Sequence, residues 1–347
     1  MGSRAGAWLV AATGLVAVAA CSSSGSSSSV ASGSVNDSAS GLQAQYESVV
    51  SAVLPSVVQI FTNDATGSGV VYDSKGDIVT NAHVVGNEST VRVVPATGGS
   101  MLTARVLGTF PAGDLAVIRV ESDAGSLKVA KFGNSDDVRA GQIVLAMGNP
   151  LGLTGSVSQG IVSALGRTVS ASGTSGGEVT TITDAIQTTA AINGGNSGGA
   201  LVSLSGQVVG IPSAAARDPE AGAAPGIGFA IPSDTAVDIA NQLISTGKVT
   251  NSGRASLNIT ATTVTTTDGQ EAGVGLVSAA SGGAAANAGL KAGDVIVKVG
   301  DQPTPSVNVL NAVLATLKPD DQVQVTYLRA GNNNNNTSAV KVTLGTL

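Results

Sequence analysis

A serine set among glycines, Asn193-Gly194-Gly195-Asn196-Ser197-Gly198-Gly199, is the segment richest in chemistry. A hydroxyl that must reach an acyl carbon needs a backbone with few Cβ atoms around it. Glycines also let successive amides converge on one concavity, where the N–H groups of Gly195 and Ser197 can receive a developing oxyanion. Alone, the string is equally compatible with a flexible turn. A nucleophilic serine needs a base, and the 347-residue chain holds one histidine, His83, within Thr80-Asn81-Ala82-His83-Val84-Val85. Apolar neighbours on both sides place it at a strand end. The third partner is Asp114, in Gly113-Asp114-Leu115-Ala116-Val117, just ahead of a strand that reads as buried. Ser197 as nucleophile, His83 as general base and Asp114 as the carboxylate that fixes the imidazole tautomer compose one acyl-transfer unit. The order His, Asp, Ser excludes a G-x-S-x-G hydrolase of the α/β type, which needs its histidine after the serine; none follows Ser197. One histidine and one cysteine do not make an ordinary zinc site, so neither a metal nor an organic cofactor is expected.

The elements that must position these residues read as mostly β. Hydrophobic residues make up 42% of the chain and aromatics only 2%, so Val, Ala, Ile and Leu must fill the cores, and 46 glycines and 11 prolines punctuate short apolar runs. Strands are expected at Val91–Val93, Asp114–Val120 and Gly141–Ala146, in a barrel or sandwich. The period changes to helical over Pro232–Gly247, with Ser233 as N-cap and Gly247 as the stop, which reads as a closing helix. Beyond a linker near residue 250 a second unit begins. It has helices at 283–289 and 307–317, a strand at Val295–Val299, and two alternating runs, Val323/Val325/Tyr327 and Val340/Val342/Leu344, joined by a polar loop at Asn332–Asn336. A net charge of −6 without any basic cluster gives nucleic acid no electrostatic footing.

The N-terminal end reads as an export segment. Residues 1–20 carry Arg4 and then the apolar run Ala7 to Ala20 with no acid, a secretory signal too short to span a membrane comfortably. Val18-Ala19-Ala20-Cys21 resembles the bacterial lipobox, which implies a lipidated Cys21 at the mature N-terminus and a membrane tether; cleavage at an A-x-A site such as Ala17-Val18-Ala19 and an uncleaved anchor are the alternatives. A single cysteine cannot form an internal disulfide. The Ser/Gly-rich stretch that follows, residues 21–45, reads as a flexible spacer.

Several further strings, in order along the chain, carry a resemblance. They are Gly67-Ser68-Gly69-Val70-Val71, the His83 and Asp114 segments, Gly148-Asn149-Pro150-Leu151-Gly152, Gln159-Gly160-Ile161-Val162-Ser163, Gly195 to Leu201, and Gly226-Ile227-Gly228-Phe229-Ala230-Ile231-Pro232. Together they resemble the HtrA/DegP-type trypsin-like serine proteases over roughly residues 46–345. That resemblance implies two six-stranded β-barrels over residues 46–248, with the triad in the cleft, and an α+β PDZ domain over residues 252–347. It also implies endopeptidase action on misfolded or unfolded extracytoplasmic proteins, and a homo-trimer. In the second unit Arg254 to Ile259 sits where the carboxylate-binding loop of a PDZ domain lies, and Ala286 to Ile296 resembles its helix-turn-strand signature. Amides of Ser256, Leu257, Asn258 and Ile259 would take a peptide's C-terminal carboxylate, with Leu257 and Ile259 lining the side-chain pocket. The alternative is a PDZ-based peptide-binding protein or chaperone whose protease domain is weakly active or latent.

Three departures from the family pattern matter. Thr189 replaces an acid and Gly194 a proline, which widens the conformations open to the oxyanion loop and predicts a resting enzyme that samples an inactive loop. Pro212 stands where asparagine is common, and Asn258 replaces the glycine of the carboxylate loop. Ala191, six residues before Ser197, stands where a trypsin-like pocket carries an acid, so cleavage after Lys or Arg is not expected, and the family resemblance implies small aliphatic residues before the scissile bond.

Overall fold

Short β-branched runs bounded by glycine form most of the elements. The computed structural model describes residues 33–122, 124–149, 155–171, 180–214, 216–217, 226–329 and 336–347. The expected signal segment, Cys21 and most of the Asn332–Asn336 loop lie outside these residues, as do Pro150, Leu151 and Gly152.

The first barrel is closed in the order β1-β2-β3-β6-β5-β4. Its strands are β1 (Val57–Phe61), β2 (Thr66–Val71), β3 (Asp77–Thr80), β4 (Thr90–Pro95), β5 (Leu102–Phe110) and β6 (Leu115–Val120). Val58, Ile60, Ile78, Val93 and Ile118 fill its interior. The second barrel has β7 (Ile143–Gly148), β8 (Ser156–Ala171), β9 (Thr180–Thr188), β10 (Ala200–Ser203), β11 (Val208–Pro212) and β13 (Gly228–Pro232). It closes through the pairing of β8 with β9, and β12 (Ala216–Arg217) adds to the free side of β8. Each barrel is antiparallel throughout, so the alternation of inward and outward side chains that the sequence shows is what selects the register.

Helix α1 (Gly33–Val53) replaces the expected spacer from residue 33 onward. Its last turns are built from Ala, Gln, Glu and Val. Tyr46, Val49, Val50 and Val53 follow helical spacing and join the shared core, burial that a Ser/Gly segment could not supply. His83, expected at a strand end, lies three residues past the end of β3, in a single helical turn, α2 (Ala82–Val85). The closing helix is α3 (Ser233–Thr246); Ser233 is its first residue rather than its cap, and its hydroxyl donates to Gly133 O at 2.8 Å. Gly247, at φ 71°, ends the helix with its N–H on Leu243 O.

The C-terminal unit has its own core around Leu257, Leu276, Ile296, Leu310 and Val325. Its strands are β14 (Ala255–Ser256), β15 (Ile259–Thr265), β16 (Glu271–Ala279), β17 (Val295–Val299), β18 (Gln302–Pro303), β19 (Gln322–Leu328), β20 (Thr337–Thr343) and β21 (Gly345–Thr346), with helices α4 (Ala284–Asn287) and α5 (Val307–Ala315). The main sheet runs β15-β16-β17-β19-β20, leaving β15 as an edge. Both helices are shorter than the periodicity predicts.

Candidate active site

The turn between β5 and β6 is a 3-10 segment, Pro111–Gly113, and it delivers Asp114 in the left-handed region at φ 55°. That conformation is unfavourable for a residue with a Cβ, and several contacts hold it. Asn81 Nδ2 donates to Asp114 O at 2.9 Å, and His83 N–H donates to Asp114 Oδ1 at 3.1 Å. The His83 ring meets the carboxylate squarely: Nδ1 is 2.9 Å from both Oδ1 and Oδ2. Asp114 is 2% exposed. A buried carboxylate in this position favours a proton on Nδ1 and leaves Nε2 able to accept one.

Ser213 completes this cluster. Its hydroxyl donates to Asp114 Oδ2 at 2.7 Å from the end of β11. The next residue, Ala214, donates its N–H to Ser197 Oγ at 2.9 Å. Two consecutive residues therefore touch the carboxylate and the nucleophile, which brings all three sequence-predicted residues into one cluster. Nothing in the sequence singled out Ser213: serine is common throughout the chain, and its role exists only once β11 runs past Asp114.

The loop bearing Ser197 is clamped by the first barrel. Ser68 N–H donates to Ser197 O at 2.8 Å, Ser68 Oγ donates to Gly195 O at 2.7 Å, and Asn149 N–H donates back to Ser68 Oγ at 2.9 Å. Gly198 must be glycine: it sits at φ 78°, and a Cβ there would lie 2.3 Å from Ser68 O and 2.4 Å from Thr80 Oγ1. Its N–H donates to Pro212 O at 2.9 Å.

The Ser197 hydroxyl is nevertheless not engaged with the histidine. Among the described residues no hydrogen bond joins Ser197 Oγ to the His83 ring; the hydroxyl points to Asn193 O at 3.5 Å while accepting from Ala214. Of the two expected oxyanion donors, Ser197 N–H has no partner among the described residues. Gly195 N–H is taken by Asn193 Oδ1 at 3.0 Å. Asn193 and Asn196 hold each other in this shape: Asn193 N–H donates to Asn196 Oδ1 at 2.9 Å, and Asn196 Nδ2 donates to Ala191 O at 2.8 Å. Thr189, in place of an acid, accepts the Ile161 N–H on its hydroxyl at 2.9 Å.

In the C-terminal unit a groove of about 710 Å³ runs between the β15 edge and α5, lined by Leu257, Ile259, Ala261, Leu310 and Leu314 among others. Asn258 occupies the left-handed region at φ 54°, the conformation for which glycine is usual. Its side chain compensates, donating to Thr346 O at 2.9 Å and accepting Ala284 N–H at 3.3 Å. Asn258 N–H donates to Ser256 Oγ at 2.9 Å.

Comparison with known proteins agrees with this architecture. A model of the trypsin-like peptidase domain matches residues 67–211 and one of the PDZ domain matches residues 256–344. The Do-like HtrA serine protease of Lactococcus lactis is 39% identical over 295 residues, covering 81% of this chain and 71% of that protein. The chain belongs to the HtrA serine protease family. Within the HtrA proteins, PepD of Mycobacterium tuberculosis is 41% identical over 317 residues, 86% of this chain and 66% of PepD. The periplasmic endoprotease DegP of Escherichia coli is 38% identical over 275 residues, so this chain spans about half of DegP's length, 55%. Among solved structures, the serine endoprotease of Yersinia pestis superposes with a TM-score of 0.56 at 32% identity, covering 87% of this chain and 98% of that one. The HtrA-type protease AlgW with a decapeptide gives 0.56 at 28% identity and the same coverage. No described helix is long and apolar enough to cross a membrane.

Proposed function

We propose that this chain is a serine endopeptidase that cleaves misfolded or unfolded proteins outside the cytoplasm, with residues 46–248 as the catalytic domain and 252–347 as a peptide-binding PDZ domain. The observation that carries the reading is the pairing of His83 with the buried Asp114, Nδ1 to both carboxylate oxygens at 2.9 Å, with Ser213 and Ala214 linking it to Ser197 Oγ. In this reading His83 Nε2 takes the Ser197 proton as Oγ bonds to the scissile carbonyl carbon. The tetrahedral oxyanion is received by the N–H groups of Ser197 and Gly195. The C–N bond breaks as His83 returns the proton to the leaving amine, and water repeats the sequence to free the acyl group.

The resting geometry supports a latent state: opening requires Asn193 Oδ1 to release Gly195 N–H and the Ser197 hydroxyl to turn its proton from Asn193 O to His83. Peptides with a free C-terminus and an apolar last residue suit the groove beside β15 by strand addition. Anchoring through a lipidated Cys21 and assembly as a trimer complete the proposal; support for an extracytoplasmic location comes from the signal-like residues 1–20 and the periplasmic relative.

The test is cleavage of casein and a reduced, unfolded protein by the full chain beside Ser197→Ala, which should lose roughly a million-fold in kcat if the triad acts as a unit. Cleavage that survives in the variant refutes the assignment. Peptide substrates add a second check. Ile192 packs against Gly228, where a Cβ would lie 2.4 Å from Ile192 Cγ1 and 3.1 Å from Ala190 O. An apolar, narrow site for the residue before the scissile bond predicts kcat/KM at least about 100-fold higher for Val than for Arg there, since Arg would bury its charge unpaired.

A further inference from the structure

We propose that Arg254 is a positioning residue for the catalytic acid: from the entry to the PDZ unit, its guanidinium holds the turn that presents Asp114 to His83. The proposal rests on His83, Asp114 and Ser197 being the catalytic machinery. Arg254 Nη1 donates to Ala112 O at 2.8 Å, across 142 positions of sequence. Ala112 is the middle residue of the 3-10 turn Pro111–Gly113, and Asp114 N–H closes that turn on Pro111 O. The turn is thus gripped at both ends: Asn81 holds Asp114 O from the first barrel, and Arg254 holds Ala112 O from the second unit.

The surroundings show that this contact is costly to maintain. A cavity of about 540 Å³ lies beside it, lined by Phe110, Gly113, Asp184, Asp238 and Arg254 among others. Burial pulls the guanidinium down to about 10, and the Asp184 carboxylate acts the other way. Asp184 itself sits at φ 55°, a second left-handed aspartate flanking the same arginine. Partly burying a cation and straining two aspartates is unfavourable in itself, so the arrangement is retained for what it holds. What it holds is the backbone one residue before Gly113 and two before the catalytic acid.

Arg254 is also continuous with the peptide groove. It lines that groove together with Ser256 and Leu257, and its N–H and C=O are both engaged, on Ser252 Oγ at 3.3 Å and Leu347 N–H at 2.9 Å. Its main chain is therefore fixed in the PDZ unit while its side chain acts on the protease.

The experiment compares the full chain with Arg254→Met, which keeps length and removes charge and donors, and with Arg254→Lys, which keeps a cation on a stem of similar reach. Arg254→Met should lower kcat on unfolded casein on the order of tenfold, the scale of one lost hydrogen bond from a charged donor, while KM changes less than about twofold. Arg254→Lys should recover part of that loss. The second readout is the low-field proton resonance of the His83 Nδ1–H···Asp114 bond, recorded in a Ser197→Ala background so that self-cleavage cannot intervene. It should shift or broaden in Arg254→Met and return toward its original position in Arg254→Lys. An unchanged resonance in the folded Met variant overturns the proposal even if kcat falls, because Arg254 would then act only on stability or docking. Absence of the resonance from the unsubstituted chain overturns it too. If the full chain cleaves nothing yet the resonance moves, Arg254 still positions Asp114 against His83, but the protease reading fails and with it the claim that this carboxylate is catalytic.

Discussion

Asn193 is the residue whose replacement should make the enzyme faster. Its Oδ1 accepts the Gly195 N–H at 3.0 Å, occupying the donor that an oxyanion would need. This hydrogen bond is exposed and neutral, so its net worth is about 0.5–1.5 kcal/mol. Removing the acceptor in Asn193→Ala shifts the loop toward a free Gly195 amide by about 2- to 12-fold, at 1.4 kcal/mol per tenfold. The loop's course survives, because Asn193 N–H still has Asn196 Oδ1, and Asn196 Nδ2 still has Ala191 O. The opposite sign is expected of Asn193→Asp. A carboxylate accepts the same N–H about twice as strongly and sets a negative charge where the oxyanion forms, so the rate should fall by tenfold or more. The assay is the second-order rate of labelling of Ser197 by a fluorophosphonate, which needs both the nucleophile and the oxyanion donors and no bound protein substrate. A slower or unchanged Asn193→Ala, with its melting temperature intact, refutes the idea that the side chain occupies the hole.

Ser213→Ala removes the 2.7 Å hydroxyl from a carboxylate that is 2% exposed, so kcat should fall by about 10- to 100-fold with little change in KM, read by cleavage of a peptide substrate; a loss under twofold would mean that His83 and Asn81 suffice to hold Asp114. Gly198→Ala places a Cβ 2.3 Å from Ser68 O at a φ of 78°, and should cost several kcal/mol in thermal unfolding as well as all activity; a normally melting variant would show that the loop relaxes freely. Asn258→Ala loses two side-chain hydrogen bonds and leaves a non-glycine residue at φ 54°, for about 2 kcal/mol of destabilisation and weaker capture of a C-terminal peptide by fluorescence anisotropy; unchanged affinity would separate this residue from the groove.

The parts of the site that were legible in the sequence are those that depend on scarcity. With one histidine in the chain, His83 was the single candidate base, and the structure sets its ring 2.9 Å from Asp114; chain order removed the rival hydrolase. The strands were legible because Val-rich runs alternate and glycines bound them, so β17 falls at the expected Val295–Val299. What was not legible depends on the third dimension. Ser213 is one serine among many until β11 passes Asp114, and α2 is a single turn too short to have a period. The second part of the expected spacer, from Gly33 on, is helical because it runs on into Tyr46, Val49, Val50 and Val53, which find a core that no local window reveals.

The state of the oxyanion loop lies between these extremes. Gly194 in place of proline announced a softer loop, and a Cβ at Gly194 would meet nothing within 4 Å, so crowding does not demand glycine there. The glycine's effect is therefore entropic: it lowers the cost of leaving any one conformation, including the active one. Which conformation is occupied at rest is then decided by weak side-chain contacts, each near 1 kcal/mol: Asn193 on Gly195, Asn196 on Ala191, and Ala214 on Ser197. A few such contacts suffice to hold a loop that glycine has made cheap to move, and for the same reason a comparably small interaction elsewhere in the chain suffices to release it.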